Sequence, residues 1–265
     1  MLVCVLCYGD HVKMIRRCIA SIQHYAVHPR IYELRVGMNA VTQDVREYIV
    51  EEVQGLKIPA LLFSEADNQN VGKYPMMRQM LRYQEPTVRD VMWFDDDSFI
   101  KKEAPLNFFE VISTYLNDAE LVGSIYKLRG SWNGNQRTVI SQQPWYTGKP
   151  WPEGYCVRFA TGGWWAARLA MLLKHDYPFP VMHHNGGDAI LGELMYQQGY
   201  RIFQHNKFVG INADDQQRES QAPRRGLDTR PLWKDGITPA RSPFNLLVES
   251  YDKGEAQGIK LCESV

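Results

Sequence analysis

Three consecutive aspartates, Asp95-Asp96-Asp97, stand at the end of an apolar run, Val91-Met92-Trp93-Phe94. Adjacent carboxylates repel one another unless a cation joins them, and a hard divalent metal is the cation that oxygen ligands suit best. Along an extended chain Asp95 and Asp97 point to the same side, so both can face one ion. A Mg2+ or Mn2+ held there would bridge a diphosphate and stabilise it as a leaving group. The competing reading is an acidic turn at a strand end. The position favours the metal, because open α/β sheets bind ligands outside the carboxyl ends of their strands.

Two other aspartate motifs fail. An EF-hand loop needs Gly at its sixth position and Glu at its twelfth, and neither is present. A haloacid-dehalogenase-type phosphatase carries Asp-x-Asp-x-Thr/Val after its first strand, whereas here the fifth position is Phe99 and the strand is the fourth. Upstream, Lys73 and Arg78 fall near the start of a helix opened by Pro75, where backbone N–H groups and side-chain cations can meet phosphate. Their alternative is ordinary solvated charge.

These groups need elements to position them. Residues 2 to 7 form a continuous apolar run, the pattern of a strand covered on both faces. Asp10 can cap the next helix, in which Val12, Ile15, Ile19 and Ile22 recur at three and four. A strand over 32–36, a helix over 44–53, a strand over 58–63 and the helix with Met76, Met77, Met80 and Leu81 follow. The rhythm predicts an α/β fold, a mostly parallel sheet with helices on both faces. After Lys102 the rhythm changes. Leu106, Phe109, Ile112 and Leu116 share one helical face, and a strand returns over 120–126. Residues 127–158 are rich in Trp, Tyr, Asn, Gln, Gly and Pro and suit an irregular acceptor-facing lobe. Helices are expected over 164–173 and 188–198, the second ended by Gly199, with a last strand over 200–204. We divide the chain into a nucleotide-sugar-binding half, 1–103, an acceptor-binding and catalytic half, 104–211, and a mobile loop and tail, 212–265.

Composition sets the outer bounds. The chain has 265 residues, 45% of them apolar, enough for one sizeable core. Lys and Arg total 30 and Asp and Glu total 30, so no net field draws it to nucleic acid or to an acidic membrane. Five cysteines without a second close pair argue for reduced thiols over zinc or a disulfide framework. No uncharged apolar run of about 18 residues spans a bilayer, and the short apolar start reads as a strand, not a signal peptide. We therefore expect a cytoplasmic protein of bacterial or viral-host type.

Four segments, in order, resemble the GT-A glycosyltransferases, chiefly the family-2-like branch with some galactosyltransferase and fringe-type features. Cys7-Tyr8-Gly9-Asp10 resembles the segment that meets the nucleotide base. Asn70-Val71-Gly72-Lys73-Tyr74-Pro75-Met76-Met77-Arg78 resembles the stretch beside the donor phosphates. Trp93-Phe94-Asp95-Asp96-Asp97-Ser98 resembles the Asp-x-Asp motif. Thr161-Gly162-Gly163-Trp164-Trp165-Ala166-Ala167-Arg168 and Asn185-Gly186-Gly187-Asp188 resemble the acceptor-side glycine pair and the acid that begins the next helix. The set covers about residues 1 to 210.

The resemblance implies transfer of a sugar from a nucleotide-sugar donor to an acceptor hydroxyl with Mn2+ or Mg2+. It places Tyr8, Asp10, Asn39, Lys73, Arg78, Asp95 and Asp96 on the donor, and Gly162, Gly163, Trp164 and Trp165 on the acceptor. The glycines would let the backbone approach a sugar on which one of the two Trp rings stacks. A structural turn is the other account of that pair. Asp97 would be the principal metal ligand, with Asp95 supporting and His205 third. Asp188 is the candidate general base, held by the dipole at a helix start and suited to an inverting transfer. The family often has two acids there, but Gly187 precedes Asp188, so a plain N-cap is the alternative. The acceptor is a glycan or lipid-linked saccharide, or a hydroxymethylated base in phage DNA. For the DNA acceptor, Trp132, Trp145, Trp151, Tyr146 and Tyr155 would stack among Lys127, Arg129, Arg137, Lys149 and Arg158. The rival activities are a nucleotidyltransferase and a non-catalytic sugar-binding module.

Overall fold

The computed structural model describes residues 1–26, 31–65, 68, 70–83, 88–128, 134–153, 155, 157–179, 182, 187–211 and 259–261. Strand β1 (Leu2–Gly9), helix α1 (Val12–Tyr25), β2 (Glu33–Val41), α2 (Gln43–Gln54), β3 (Ala60–Ser64), α3 (Lys73–Arg82) and β4 (Asp90–Asp95) give the expected alternation. β5 (Ser98–Ile100), α4 (Phe108–Tyr115), β6 (Leu121–Leu128), α5 (Gly134–Ser141), β7 (Val157–Arg168) and α6 (Leu169–Lys174) follow. The chain continues through α7 (Gly187–Gln198), β8 (Ile202–Gln204), β9 (Val209–Ile211) and β10 (Ile259–Leu261).

The main sheet has eight strands in the order β10-β6-β7-β4-β1-β2-β3, with β8 also on β6. β3, β2, β1 and β4 run parallel, and β7 and β6 continue antiparallel. The sheet is therefore mostly parallel on its donor half and mixed beyond β4. A second, two-stranded sheet pairs β5 with β9, setting Ser98 opposite Ile211.

Alternation along the central strands divides the core in two. Leu2, Cys4 and Leu6 of β1 and Trp93 of β4 join one cluster with Met76, Met77 and Met80 of α3 and Leu191 and Leu194 of α7. Val3, Val5 and Cys7 of β1 and Phe94 of β4 join the other with Ile15 and Ile19 of α1 and Phe108 and Ile112 of α4. Each fully buried side chain of this size contributes about 1.5–3 kcal/mol, so Met76, Met77, Met80 and Leu81 fix α3 on the sheet. The same period of two puts Asp95 on the face of Trp93, toward α3.

Three expectations need correction. The helix over 164–173 is strand β7 to Arg168 followed by the short α6. Trp164 and Ala166 face one cluster while Trp165 and Ala167 face the other, so a doubly covered strand reads as an unbroken apolar run. Leu106 lies outside α4 and is 60% exposed. Asp10 does not cap α1: its N-cap is His11, with no side-chain capping bond. Gly199 does close α7 in the left-handed region, with φ of 68°. Of the tail, only β10 is among the described residues, where it pairs with β6; residues 212–258 lie outside them. Among the described residues no helix is long and apolar enough to cross a membrane.

Candidate active site

β4 ends at Asp95, and Asp96 and Asp97 form the turn into β5. The three are therefore not on one extended strand, which corrects the alternation argument for Asp95 and Asp97. They diverge. Asp95 Oδ1 accepts a hydrogen bond from Trp93 Nε1 at 2.9 Å. Asp96 Oδ2 accepts one from the backbone N–H of Tyr8 at 2.9 Å, tying the triplet to the end of β1. Asp97 is 1% exposed, with Ser98 Oγ 3.4 Å from its Oδ1. Cys4, Cys7 and Cys18 are buried free thiols. Burial, then the charge of Asp96, raises the pKa of both Cys7 and Cys18 well above the usual value, and burial pushes Cys4 up to about 12.

Lys73 reaches Asp95 from the first residue of α3, with Nζ 2.7 Å from Oδ2. The turn before the helix fixes that reach. Buried Asn39 on β2 donates from Nδ2 to Asn70 Oδ1 at 3.0 Å and accepts from the Val71 N–H at 2.9 Å. Asn70 Oδ1 also accepts from the Gly72 N–H at 3.0 Å, and Gly72 sits at φ of 91°, a conformation that glycine adopts without strain. Asn39 thus holds the turn that presents Lys73. Arg78 is engaged elsewhere. Its guanidinium donates to Asp176 Oδ1 at 2.8 Å and to Pro178 O at 2.8 Å, and with Arg82, which also pairs Asp176, it anchors the 176–178 turn on α3.

Asp188 starts α7, and the Tyr74 hydroxyl lies 3.4 Å from its Oδ1. Tyr74 and Tyr177 meet edge to face with centroids 6.5 Å apart, and Tyr177 donates to Gly187 O at 3.4 Å. Burial raises both phenol pKa values well above normal. For Tyr74 the nearby charges of Asp188 and Asp95 add to the shift, and for Tyr177 the same two carboxylates do. Both phenols stay protonated, hence donors, throughout the working pH range. The two buried rings lie within electrostatic range of both Asp188 and Asp95.

The acceptor-side aromatics do not line that site. Trp164 and Trp165 are 0% and 2% exposed, and Trp165 stacks on Trp93 at 6.1 Å and 14°. No sugar can lie on either ring. Gly163 is needed by the protein itself: a Cβ there would come 2.9 Å from Ile211 Cδ1 and 3.0 Å from Ser98 Oγ, whose hydroxyl donates to Gly163 O at 2.7 Å. Gly162 precedes it within β7. Of the stacking residues expected for an extruded base, Trp145 is buried against Phe179 and Tyr155 donates to Glu193. Trp132 and Arg129 lie outside the described residues.

His205 is not gathered with the aspartates. Its ring packs among Tyr115, Phe208 and Trp164 at 5.2, 5.2 and 6.1 Å, and burial followed by the charge of Lys207 lowers its pKa. Among the described residues no group of three His, Cys, Asp or Glu could hold a metal ion. β9, not β8, comes to the triplet, through the pairing of Ile211 with Ser98. Asp10 lies beyond the end of β1 with Oδ1 3.5 Å from His11 Nδ1. Tyr74, Tyr177 and Ser98 are the site residues that motif reading passed over. Tyr74 and Ser98 had a signal, their places next to Lys73 and Asp97.

Among solved structures, the chain is similar to the mannosyltransferase PcManGT from Pyrobaculum calidifontis, determined in complex with GDP-Man and Mn2+. The identity is 14%, the match covers 78% of this chain and 55% of that one, and the TM-score is 0.52. It also aligns with residues 1–349 of S. aureus TarS at 13% identity, over 79% of this chain and 60% of that one, with a TM-score of 0.49. The chain thus spans less than two thirds of either. No protein-family profile and no curated protein matches it. The likeness to the mannosyltransferase structure shows the fold, which is of the GT-A glycosyltransferase type.

Proposed function

We propose that this chain is a glycosyltransferase that moves a sugar from a nucleotide-sugar donor to an acceptor hydroxyl, with inversion. The observation that carries the reading is that adjacent residues of α3 meet both carboxylates on this sheet of GT-A type, Lys73 pairing with Asp95 of the triplet and the Tyr74 hydroxyl lying against Asp188. The carboxyl edge of such a sheet is where α/β folds take their ligands.

Asp97 is the carboxylate that could take a divalent cation, since both oxygens of Asp95 already accept bonds from Trp93 and Lys73. Mg2+-like ions are commonly held by one or two carboxylates, with substrate phosphates and water completing the shell. A bound Mn2+ or Mg2+ would supply positive charge to the diphosphate as it leaves. Lys73 adds a cation from the protein and orients Asp95. Asp188 takes the proton of the acceptor hydroxyl. The acceptor oxygen then bonds to the anomeric carbon, and the electron pair of the breaking bond departs with the diphosphate. A base on the acceptor side favours direct displacement, hence inversion. The acceptor we favour is a glycan or lipid-linked saccharide, because Trp145 and Tyr155, two of the aromatics that would grip an extruded base, are held in the protein's own packing.

The test is a panel of nucleotide sugars with Mn2+, read by thermal shift and by release of nucleoside diphosphate. One or more donors should raise the melting temperature and be turned over, and no response to any of them would contradict the proposal.

A further inference from the structure

Gly187 occupies the place where an acid was expected beside Asp188, and the structure gives a reason. A Cβ at 187 would come 2.1 Å from Tyr74 Cζ and 2.2 Å from its hydroxyl oxygen. The phenol stands where a side chain would begin, and its hydroxyl lies against Asp188. No substituent fits at 187 unless the ring leaves.

We propose that Tyr74 is a positioning residue for Asp188, its hydroxyl replacing the missing neighbouring side chain as the group that aims the carboxylate. The inference rests on the reading of Asp188 as the base. Tyr74 follows Lys73 at the first turn of α3, so two adjacent residues grip the two sides of the reaction, Lys73 the donor-side Asp95 and Tyr74 the acceptor-side Asp188. Successive helical side chains diverge by about 100°, so one turn of backbone sets the spacing between the groups that hold the leaving diphosphate and the group that takes the proton. The register is well secured. Met76, Met77, Met80 and Leu81 bury α3, Arg78 ties it to the 176–178 turn, and Tyr177 packs its ring on Tyr74. A carboxylate aimed by a hydrogen bond loses rotational freedom before the acceptor arrives, which is a contribution of orientation, not of new chemistry.

The experiment uses donor hydrolysis, in which water stands in for the acceptor, with the donor found by the nucleotide-sugar panel. Tyr74→Phe deletes only the hydroxyl and keeps the packed ring, so its melting temperature should stay within a few degrees of the parent. Its kcat should fall about tenfold with the donor KM within about twofold. In an Asp188→Asn background the same substitution should change kcat by less than about twofold, since a group that acts through Asp188 has nothing left to act on. A normal kcat in Tyr74→Phe, or an equal further fall in the double variant, overturns the proposal and leaves the base assignment standing. Near-parental turnover in Asp188→Asn alone overturns the base assignment, and this inference with it.

Discussion

Lys73 Nζ lies 2.7 Å from Asp95 Oδ2, and the same carboxylate accepts the indole N–H of Trp93 on its other oxygen. A charged and a neutral donor thus hold the end of β4 in one orientation. Charge-assisted contacts of this kind contribute about 1.5–3 kcal/mol each when the group is well placed. Lys73→Met keeps the stem and removes the charge. Donor affinity should fall about tenfold or more, and the melting temperature should drop as buried Asp95 loses its ammonium partner. Titration calorimetry in the presence of Mn2+ checks it, and unchanged affinity would make Lys73 only a strut for Asp95.

Asn39 makes a separable prediction, since it touches the donor side only through the turn at 70–72. Asn39→Asp exchanges an amide donor for a second acceptor facing Asn70 Oδ1, so the turn loses one bond and gains a repulsion. Donor affinity should drop as Lys73 loses its placement, and hydrogen exchange across 70–73 should quicken. Normal exchange there would show that the turn does not depend on Asn39.

Gly187→Ala should be costly for a residue change of one methyl group. Overpacking of a closed site costs about 1–3 kcal/mol, and here the added atom meets the Tyr74 ring. Thermal unfolding should show the loss, with a parallel fall in turnover. A stable and fully active variant would mean that the ring moves aside freely.

Trp165→Phe tests the reassignment of the tryptophan pair. Stacked on Trp93 and 2% exposed, Trp165 should lose stability on truncation through the space it vacates, by about 1–3 kcal/mol. The acceptor KM should be unaffected. A raised acceptor KM without a stability change would return Trp165 to the acceptor site.

What could be read from the sequence follows physical lines. β1 and β4 are legible because a doubly covered strand is apolar throughout, and the aspartates mark where β4 must end. α1 is legible from its period. β7 was not, since Trp164-Trp165-Ala166-Ala167 fills both core clusters and shows no alternation, so it passes for helix. β9 is too short to signal itself, so the approach of Ile211 to Ser98 could not be read. The place of Asp188 in the first turn of α7 was legible from the helical run that follows it. Tyr74 and Asp188 are 114 residues apart, and no local pattern joins them. The same holds for Arg78, a phosphate-facing cation by sequence and an anchor for the 176–178 turn by structure.

The account turns most directly on whether the Asp95–Asp97 turn binds the donor through a divalent ion, and Asp97→Asn addresses it by calorimetry. Asparagine keeps the shape of the buried side chain and removes the charge that a hard cation requires. The parent should bind its nucleotide sugar with Mn2+ and far more weakly with a chelator. The variant should unfold at a similar temperature yet show only the weak, metal-independent affinity. Mn2+-dependent donor binding of parental strength in Asp97→Asn would contradict the metal assignment and the proposal built on it.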